Sequence, residues 1–578
     1  MDVPEANNHP RWPRRARAIA VAAGFLAAAC WPLRDALMSG NAAGAGPDVA
    51  VTMWGMWWFS VEWVGAAWRG ASTLANFPNG VVGGVLAPVT SSLWALFHSM
   101  LGPAWATTLT GVVTLTGWCG VVAWLGRRAG LSPGAACLAG LLALEGRYLV
   151  YAVGETSVVG ITALPALVAV GALFEWAANP RRRWLVLYVV GTVLGGAEFP
   201  YLAALPTIMG ILLVVHRRDK YLAFPVALAV GLALLSIAAA GRGQVHDFGS
   251  LSRGMTVTVG QWQWPRAEHE FARATPLGLL VPGPVVWSLD GASTPFAKGR
   301  EYLGLPLVLA AVFGAWRQPT RAAPFLVVAA VGVAFSTGSE WFGLPSPFAL
   351  TNALTAKVVR LLTQPTRFLT MAAVALPIAA AFAVDWLNGK RPWGWLLGSV
   401  LVADAFCFGG LSLRLPTTEL PAAACVSALS GHPRGAVVTW PWDGLDGGEA
   451  SVQTRIWQVV HQQPSPGRGV GSWTLLGKER GDDMLAALGL EAAVFGEGAV
   501  DPASLHRLGY RWVVADLRAG DWVLATARAS LGEPAATCEG AAVFTLAPDS
   551  ATPSPYVSIA QPPAGWHQRD RRSLRPKF

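Results

Sequence analysis

Charge is what this sequence has least of. Only 13% of its 578 residues are Asp, Glu, Lys or Arg, where a soluble globular protein carries about 25%. With 53% hydrophobic residues and a mean hydropathy of +0.43, the chain cannot cover itself for water. The motifs of common soluble chemistry are missing too. There is no Walker phosphate loop, no dinucleotide fingerprint and no nucleophile elbow. The six cysteines show no zinc-binding spacing. Cys30, Cys119, Cys137 and Cys407 fall in apolar segments and read as small core residues. Cys425 and Cys538 lie near the C-terminus and would pair if that part faces an oxidising compartment. Repeated halves, which many transporters show, are absent as well.

What is present is a succession of apolar runs, 28 Trp residues and short basic clusters between the runs. Trp favours membrane interfaces, and Lys and Arg stay on the cytoplasmic side. The net charge of +9 is therefore a topology signal, and nucleic acid is not an expected partner. Arg11, Arg14, Arg15 and Arg17 precede an apolar run of about 20 residues with no small-residue cleavage site. That reads as an uncleaved first span rather than a signal peptide.

The predicted fold is a polytopic α-helical membrane protein of about eleven spans, N-terminus inside and C-terminus outside, with a small C-terminal α/β domain. The spans fall near 17–38, 104–126, 132–153, 157–177, a hairpin over 184–216, 221–240, 302–316, 322–339, 367–387 and 392–412. The hairpin turns outside near Glu198-Phe199-Pro200. Residues 1–16 form a cytoplasmic N-terminus, and 17–415 the transmembrane domain, with external loops 39–103, 241–301 and 340–366. Residues 416–553 form the external domain, and 554–578 a disordered basic tail. Within the external domain, 435–440 and 510–516 read as strands and 482–490 as a helix.

The first external loop is the most informative region. Gly46-Pro47-Asp48 opens a Trp-rich helix in which Trp54, Trp57, Trp58 and Val61 recur at helical spacing. Such a helix is expected at the membrane interface, its aromatics at headgroup depth. Asp48 sits at its start, as a plain helix cap or as an acid beside an aqueous cavity, available as general base or metal ligand. A second short apolar helix, about 85–101, carries His98, which reads as structural.

An acid soon after span one, two juxtamembrane helices, a second acid outside span three and a soluble C-terminal domain resemble the membrane glycosyltransferases of the GT-C fold. These include the dolichyl-phosphate-mannose-dependent and lipid A aminoarabinose transferases. Closest in wording are uncharacterised bacterial members, through Gly46-Pro47-Asp48, Asn76-Phe77-Pro78-Asn79-Gly80 and Gln364-Pro365-Thr366-Arg367-Phe368. The resemblance implies transfer of a sugar from a polyprenyl-phosphate carrier to an external acceptor. It gives Asp48 the role of base and matches Glu155 to the second acid. Asp48 has no acidic neighbour before Glu62, whereas many relatives carry an acid pair. The cofactor is thus unknown, and a divalent metal is not supported by such a pair.

A lipid phosphate needs cationic donors at headgroup depth. Arg253, Arg266, His269, Lys298 and Arg300 in loop 241–301, with Arg360 and Arg367 before span ten, are the candidates; a solvated loop is the alternative. Glu198 reads as a cavity-lining acid or a solvated turn residue. Glu145 and Arg147 lie inside span three on different helix faces, and Asp404 lies deep in the last span without an assigned role. The expected partners are the bilayer and a polyprenyl-phosphate-linked sugar. High Ala, Gly and Arg with little Lys suggest a GC-rich bacterial genome, hence the inner membrane, with the C-terminal domain periplasmic. A non-catalytic scaffold of the same plan, or a transporter or flippase of lipid-linked sugars, is the alternative function.

Overall fold

The computed structural model describes residues 14–44, 47–62, 71–72, 81–82, 87–154, 164–198, 200–217, 220–241, 256–259, 262–265, 274–281, 301–338, 340–341, 344–355, 365–389, 393–420, 423–433, 435–440, 456–463, 465, 502–507 and 509–546. The chain divides into two compact units. One is Met1–Val49 with Leu86–Glu419, and the other is Ala50–Val85 with Leu420–Phe578.

The first unit is helical and built around one buried helix, Leu369–Asn388, in which every residue from Leu369 to Val384 is buried. A helix apolar on all sides belongs in a core of this kind. Leu305–Arg317, Pro319–Ser336, Pro133–Leu142 and Trp393–Cys407 pack around it. A second group joins Arg182–Glu198 to Leu164–Ala178 and Lys220–Gly241, with Pro88–Ala129 against Leu164–Ala178. Lipid is as apolar as Leu, so helices in a membrane associate through close packing over small residues. Gly314 shows this: a Cβ added there would run into the Ala379 backbone carbonyl.

Among the described residues, three helices are long and apolar enough to cross a bilayer: Pro88–Ala129, Pro319–Ser336 and the stretch Pro365–Asn388. Pro133–Leu142 and Arg147–Gly154, bent by 49°, make a fourth if they form one span. Six more apolar helices among the described residues are 10–17 residues long. Phe224, Leu309, Trp316 and Trp395 are each more than half exposed on such helices, as side chains facing lipid would be. The chain is a multi-pass membrane protein, and the count of eleven and its orientation rest on the charge pattern. The predicted short helix at 85–101 and span 104–126 run together as Pro88–Ala129, broken at Gly102 (φ 81°, ψ 175°) just before Pro103. The predicted hairpin takes the form of Arg182–Glu198, a 3₁₀ turn Pro200–Ala203 and Ala204–Arg217.

The second unit contains a four-stranded sheet ordered Ala536–Cys538, Ala541–Thr545, Tyr510–Asp516, Ala436–Trp440. The last two pair in parallel, and the other neighbours are antiparallel. Both strands read from the sequence are present, and Ala436–Trp440 is buried throughout. The predicted helix 482–490 and tail 554–578 lie outside the described residues. Helix Asp521–Leu531 contributes Val523 and Ala527 to the core under the sheet. Cys425 and Cys538 form a disulfide with a Cα–Cα distance of 5.8 Å.

The Trp-rich segment corrects the sequence expectation. Trp54, Trp57, Trp58 and Phe59 are all buried within the protein, and the Trp54 indole N–H donates to Gln458 Oε1 at 2.7 Å. An amphipathic aromatic face is covered equally well by protein or by lipid headgroups, and the periodicity is the same for both.

The disulfide closes a loop of 113 residues, so losing it frees much chain entropy in the unfolded state. The double variant Cys425→Ser/Cys538→Ser is expected to lose about 2–5 kcal/mol of stability in this unit. Pulse proteolysis across a urea series measures it, and an unchanged midpoint would mean that the thiols are unpaired in the native protein.

Candidate functional site

The approach to Asp48 is fixed from several sides. After helix Arg14–Cys30 and the short helix Arg34–Ser39, strand Ala42–Ala43 pairs antiparallel with Thr417–Thr418. The Gly44 N–H donates to the Pro416 carbonyl at 2.7 Å, and the Thr418 hydroxyl donates to the Gly44 carbonyl at 2.8 Å. From the helix Pro88–Ala129, Thr108 Oγ1 accepts from the Ala43 N–H at 3.0 Å and donates to the Asn41 carbonyl at 3.1 Å. The segment after the first two helices is thereby tied to the chain leaving helix Trp393–Cys407.

Gly44 then makes the contact that matters for the two acids. Its φ is +105°, and an added Cβ would stand 2.5 Å from the Gly154 carbonyl oxygen. No other residue type fits there without displacing backbone. Four residues on, Asp48 occupies the first turn of helix Pro47–Glu62, with Pro47 as its first residue. Proline is pre-organised for that position, and an acid in a first turn is favoured by the helix dipole. Gly154 ends helix Arg147–Gly154 and is followed directly by Glu155. Four residues reach at most about 14 Å, so the backbone at Asp48 stays within that reach of Gly44 and its contact with Gly154. The side chain of Asp48 and the whole of Glu155 lie outside the described residues.

Arg253, Arg266, His269, Lys298, Arg300 and Arg360 also lie outside them. Arg367 is described: it is half-buried in the 3₁₀ turn Pro365–Phe368, and its carbonyl accepts from the Thr370 hydroxyl at 2.8 Å. Among the described residues, no three His, Cys, Asp or Glu side chains gather as a metal site.

Two acids singled out in the sequence have structural roles that spacing did not disclose. Glu198 is buried, so it is not a solvated turn residue. Its carboxylate accepts from the Val89 N–H, from the Thr90 N–H at 3.4 Å and from the Thr90 hydroxyl at 2.8 Å. It caps helix Pro88–Ala129, whose own N-cap residue Ala87 has no side chain to do so. Asp404 is buried and accepts the Tyr302 hydroxyl at 3.1 and 3.0 Å on its two oxygens. Tyr302 lies 102 residues away, which no sequence period links to Asp404. His98 stacks on Trp94 with ring centroids 4.6 Å apart, a structural role as expected.

In the second unit, Asp516 accepts from Arg518 Nε at 2.8 Å and Nη2 at 2.7 Å and from the Trp457 indole at 3.0 Å. Burial alone would raise this carboxyl, but the bonds from Arg518 and Trp457 outweigh it and hold its pKa below the ordinary value. His461 is fully buried, its Nδ1 accepts from the Gln463 N–H at 3.0 Å, and burial lowers its pKa to about 3.

The architecture is that of a multi-pass membrane protein in which Gly44, four residues before Asp48, packs on Gly154. No protein-family model and no curated protein matches the chain. Solved structures it is similar to are GT-C-fold membrane glycosyltransferases. One is the arabinofuranosyltransferase AftD from Mycobacteria (15% identity, 92% of this chain and 41% of that chain, TM-score 0.49). Another is the oligosaccharyltransferase of Archaeoglobus fulgidus (11% identity, 88% and 70%, TM-score 0.42). A third is ArnT from Cupriavidus metallidurans bound to undecaprenyl phosphate (14% identity, 94% and 100%, TM-score 0.40). The chain spans well under half the length of AftD.

Glu198→Ala is expected to cost about 1–3 kcal/mol by leaving buried helix N–H groups unpaired, read as a lower thermal midpoint of the purified protein. His461 is neutral in the fold and returns to about 6.5 when unfolded. Its folded pKa is the lower one, so its contribution is complete above about 6.5 and is lost as pH falls from there toward about 3. The unfolding midpoint of this unit should therefore drop across that window, and His461→Gln should flatten the slope. An equal slope in the variant would assign acid sensitivity to another group.

Proposed function

We propose that this protein is a membrane glycosyltransferase that moves a sugar from a polyprenyl-phosphate carrier to an acceptor on the external face. The observation that carries the reading is the Gly44–Gly154 contact. It lays the backbone leading to Asp48 against the residue before Glu155, at the head of the first external segment. In this reading Asp48 and Glu155, from separate loops, serve one site, with one of them available as the general base that attack by an acceptor hydroxyl needs.

In the proposed step, an acceptor hydroxyl attacks the anomeric carbon of the donor. Asp48 takes the hydroxyl proton as the new glycosidic bond forms and the bond to the polyprenyl phosphate breaks. Glu155 orients the acceptor or the sugar. The departing phosphate is held by Arg253, Arg266, His269, Lys298 and Arg300 from one loop and Arg360 and Arg367 from the other, with Arg suited to bidentate phosphate contact. The Cys425–Cys538 disulfide favours an oxidising compartment for residues 416–553. That supports the periplasmic side of a bacterial inner membrane.

Asp48→Asn tests the reading in proteoliposomes supplied with polyprenyl-phosphate sugars and a glycan acceptor, with released polyprenyl phosphate as the readout. Loss of the base should lower turnover by about 10²–10⁴-fold while the variant purifies and melts as the parent does. Turnover equal to the parent's would remove Asp48 from the chemistry. A carrier that moves between leaflets without being cleaved would favour the flippase alternative.

A further inference from the structure

The proposed site leaves unused a buried polar cluster in the first unit, where the span Pro133–Leu142 breaks before Arg147–Gly154. Glu145 lies in the break with no exposed surface, Tyr302 is 1% exposed and Asp404 is 9% exposed. The backbone holds the break in place: the Gly410 N–H donates to the Glu145 carbonyl at 2.8 Å, and the Arg147 N–H donates to the Tyr302 carbonyl at 3.1 Å. Gly304, with φ +89°, begins helix Leu305–Arg317 beside them. A Cβ added to Gly304 would stand 2.6 Å from Glu145 Oε1 and 3.1 Å from Asp404 Oδ2. The two carboxyl groups therefore crowd the same glycine, within hydrogen-bonding reach of each other.

Charge and hydrogen-bond counting fix what this arrangement requires. Asp404 accepts the Tyr302 hydroxyl on both oxygens and is the acceptor of the pair. Among the described residues, no N–H or O–H group donates to either Glu145 oxygen. Among the described residues the one cation in the cluster is Arg147, which has Glu301 as a charged neighbour and whose Nε makes no hydrogen bond to any of them. Two adjacent buried anions with a single offset cation would be strongly unfavourable. A carboxyl oxygen with no donor of its own, facing a carboxylate, is satisfied when it carries the proton and donates.

We propose that Glu145 and Asp404 share one proton, Glu145 donating to Asp404, and that this bond locks the broken span to helices Leu305–Arg317 and Trp393–Cys407. Glu145 is then a positioning residue. Helix Arg147–Gly154 starts two residues after it and ends at Gly154, the residue packed on Gly44. The lock sets where the chain enters Glu155, and that last consequence rests on the transferase reading above.

Infrared spectroscopy of the purified full-length protein in nanodiscs tests the proton directly. The parent at neutral pH is expected to show a protonated-carboxyl carbonyl band that is lost in Glu145→Gln, an isosteric variant able to donate to Asp404 through its amide. In Asp404→Asn the band should shift, because the donor has lost its charged acceptor. The band should be the same in sodium and potassium buffers. Absence of a band in the parent, or its persistence unchanged in Glu145→Gln, overturns the proposal. A band that emerges only when sodium is removed also overturns it, because a cation would then hold the pair. The positioning role predicts that Glu145→Gln keeps the turnover of the parent and that Glu145→Leu lowers kcat with KM unchanged. Loss confined to KM, or no loss in Glu145→Leu, overturns that role. The infrared result needs no transfer activity, so it stands or falls separately from the function proposed for Asp48.

Discussion

Close approach between helices is the constraint on which the first unit depends. In lipid there is no hydrophobic force to draw one apolar helix to another, so packing and internal hydrogen bonding must do it. Helix Leu369–Asn388 meets that demand with a surface rich in Ala, at 372, 373, 375, 379, 380, 381 and 383, so neighbours can come close on all sides. Gly314 lets Leu305–Arg317 rest on its backbone. With this helix buried from Leu369 to Val384, the other spans and the ends of the loops have a fixed frame.

That frame explains how distant segments reach one place. Strand Ala42–Ala43 joins Thr417–Thr418 across almost the whole transmembrane sequence. Thr108 bonds the same segment from the side. Gly44 can then lie on the Gly154 carbonyl because Gly44 carries no side chain. A broken span serves the same end, since a bend of 49° between Pro133–Leu142 and Arg147–Gly154 redirects the chain toward Glu155. The polar groups in that break are buried, and each must find a partner within the protein.

The sequence was a good guide wherever a one-dimensional signal exists. Apolar length located helices, the boundary read between 85–101 and 104–126 fell at the break in Pro88–Ala129, and the short β-like runs 435–440 and 510–516 marked strands Ala436–Trp440 and Tyr510–Asp516. The acid at the start of the Trp-rich helix was visible for the same reason, because Pro-Asp is a helix-start signal. It misled at the Trp residues themselves, since the spacing that suits an interface also suits a protein core. Glu198 was conspicuous as an acid between two apolar arms, yet nothing nearby in sequence showed that its partners would be Val89 and Thr90.

Composition and periodicity alone thus determined that the chain enters a membrane, where its helices lie and which acids are too costly to be incidental. Tertiary structure alone decided what those acids meet. Asp404 bonds a residue 102 positions away and Glu198 one 109 positions away, and such pairings arise from how helices stack. The physical reason is that burial cost is a property of a residue and its local environment class, whereas the compensation for that cost is a property of whichever segment the fold brings against it.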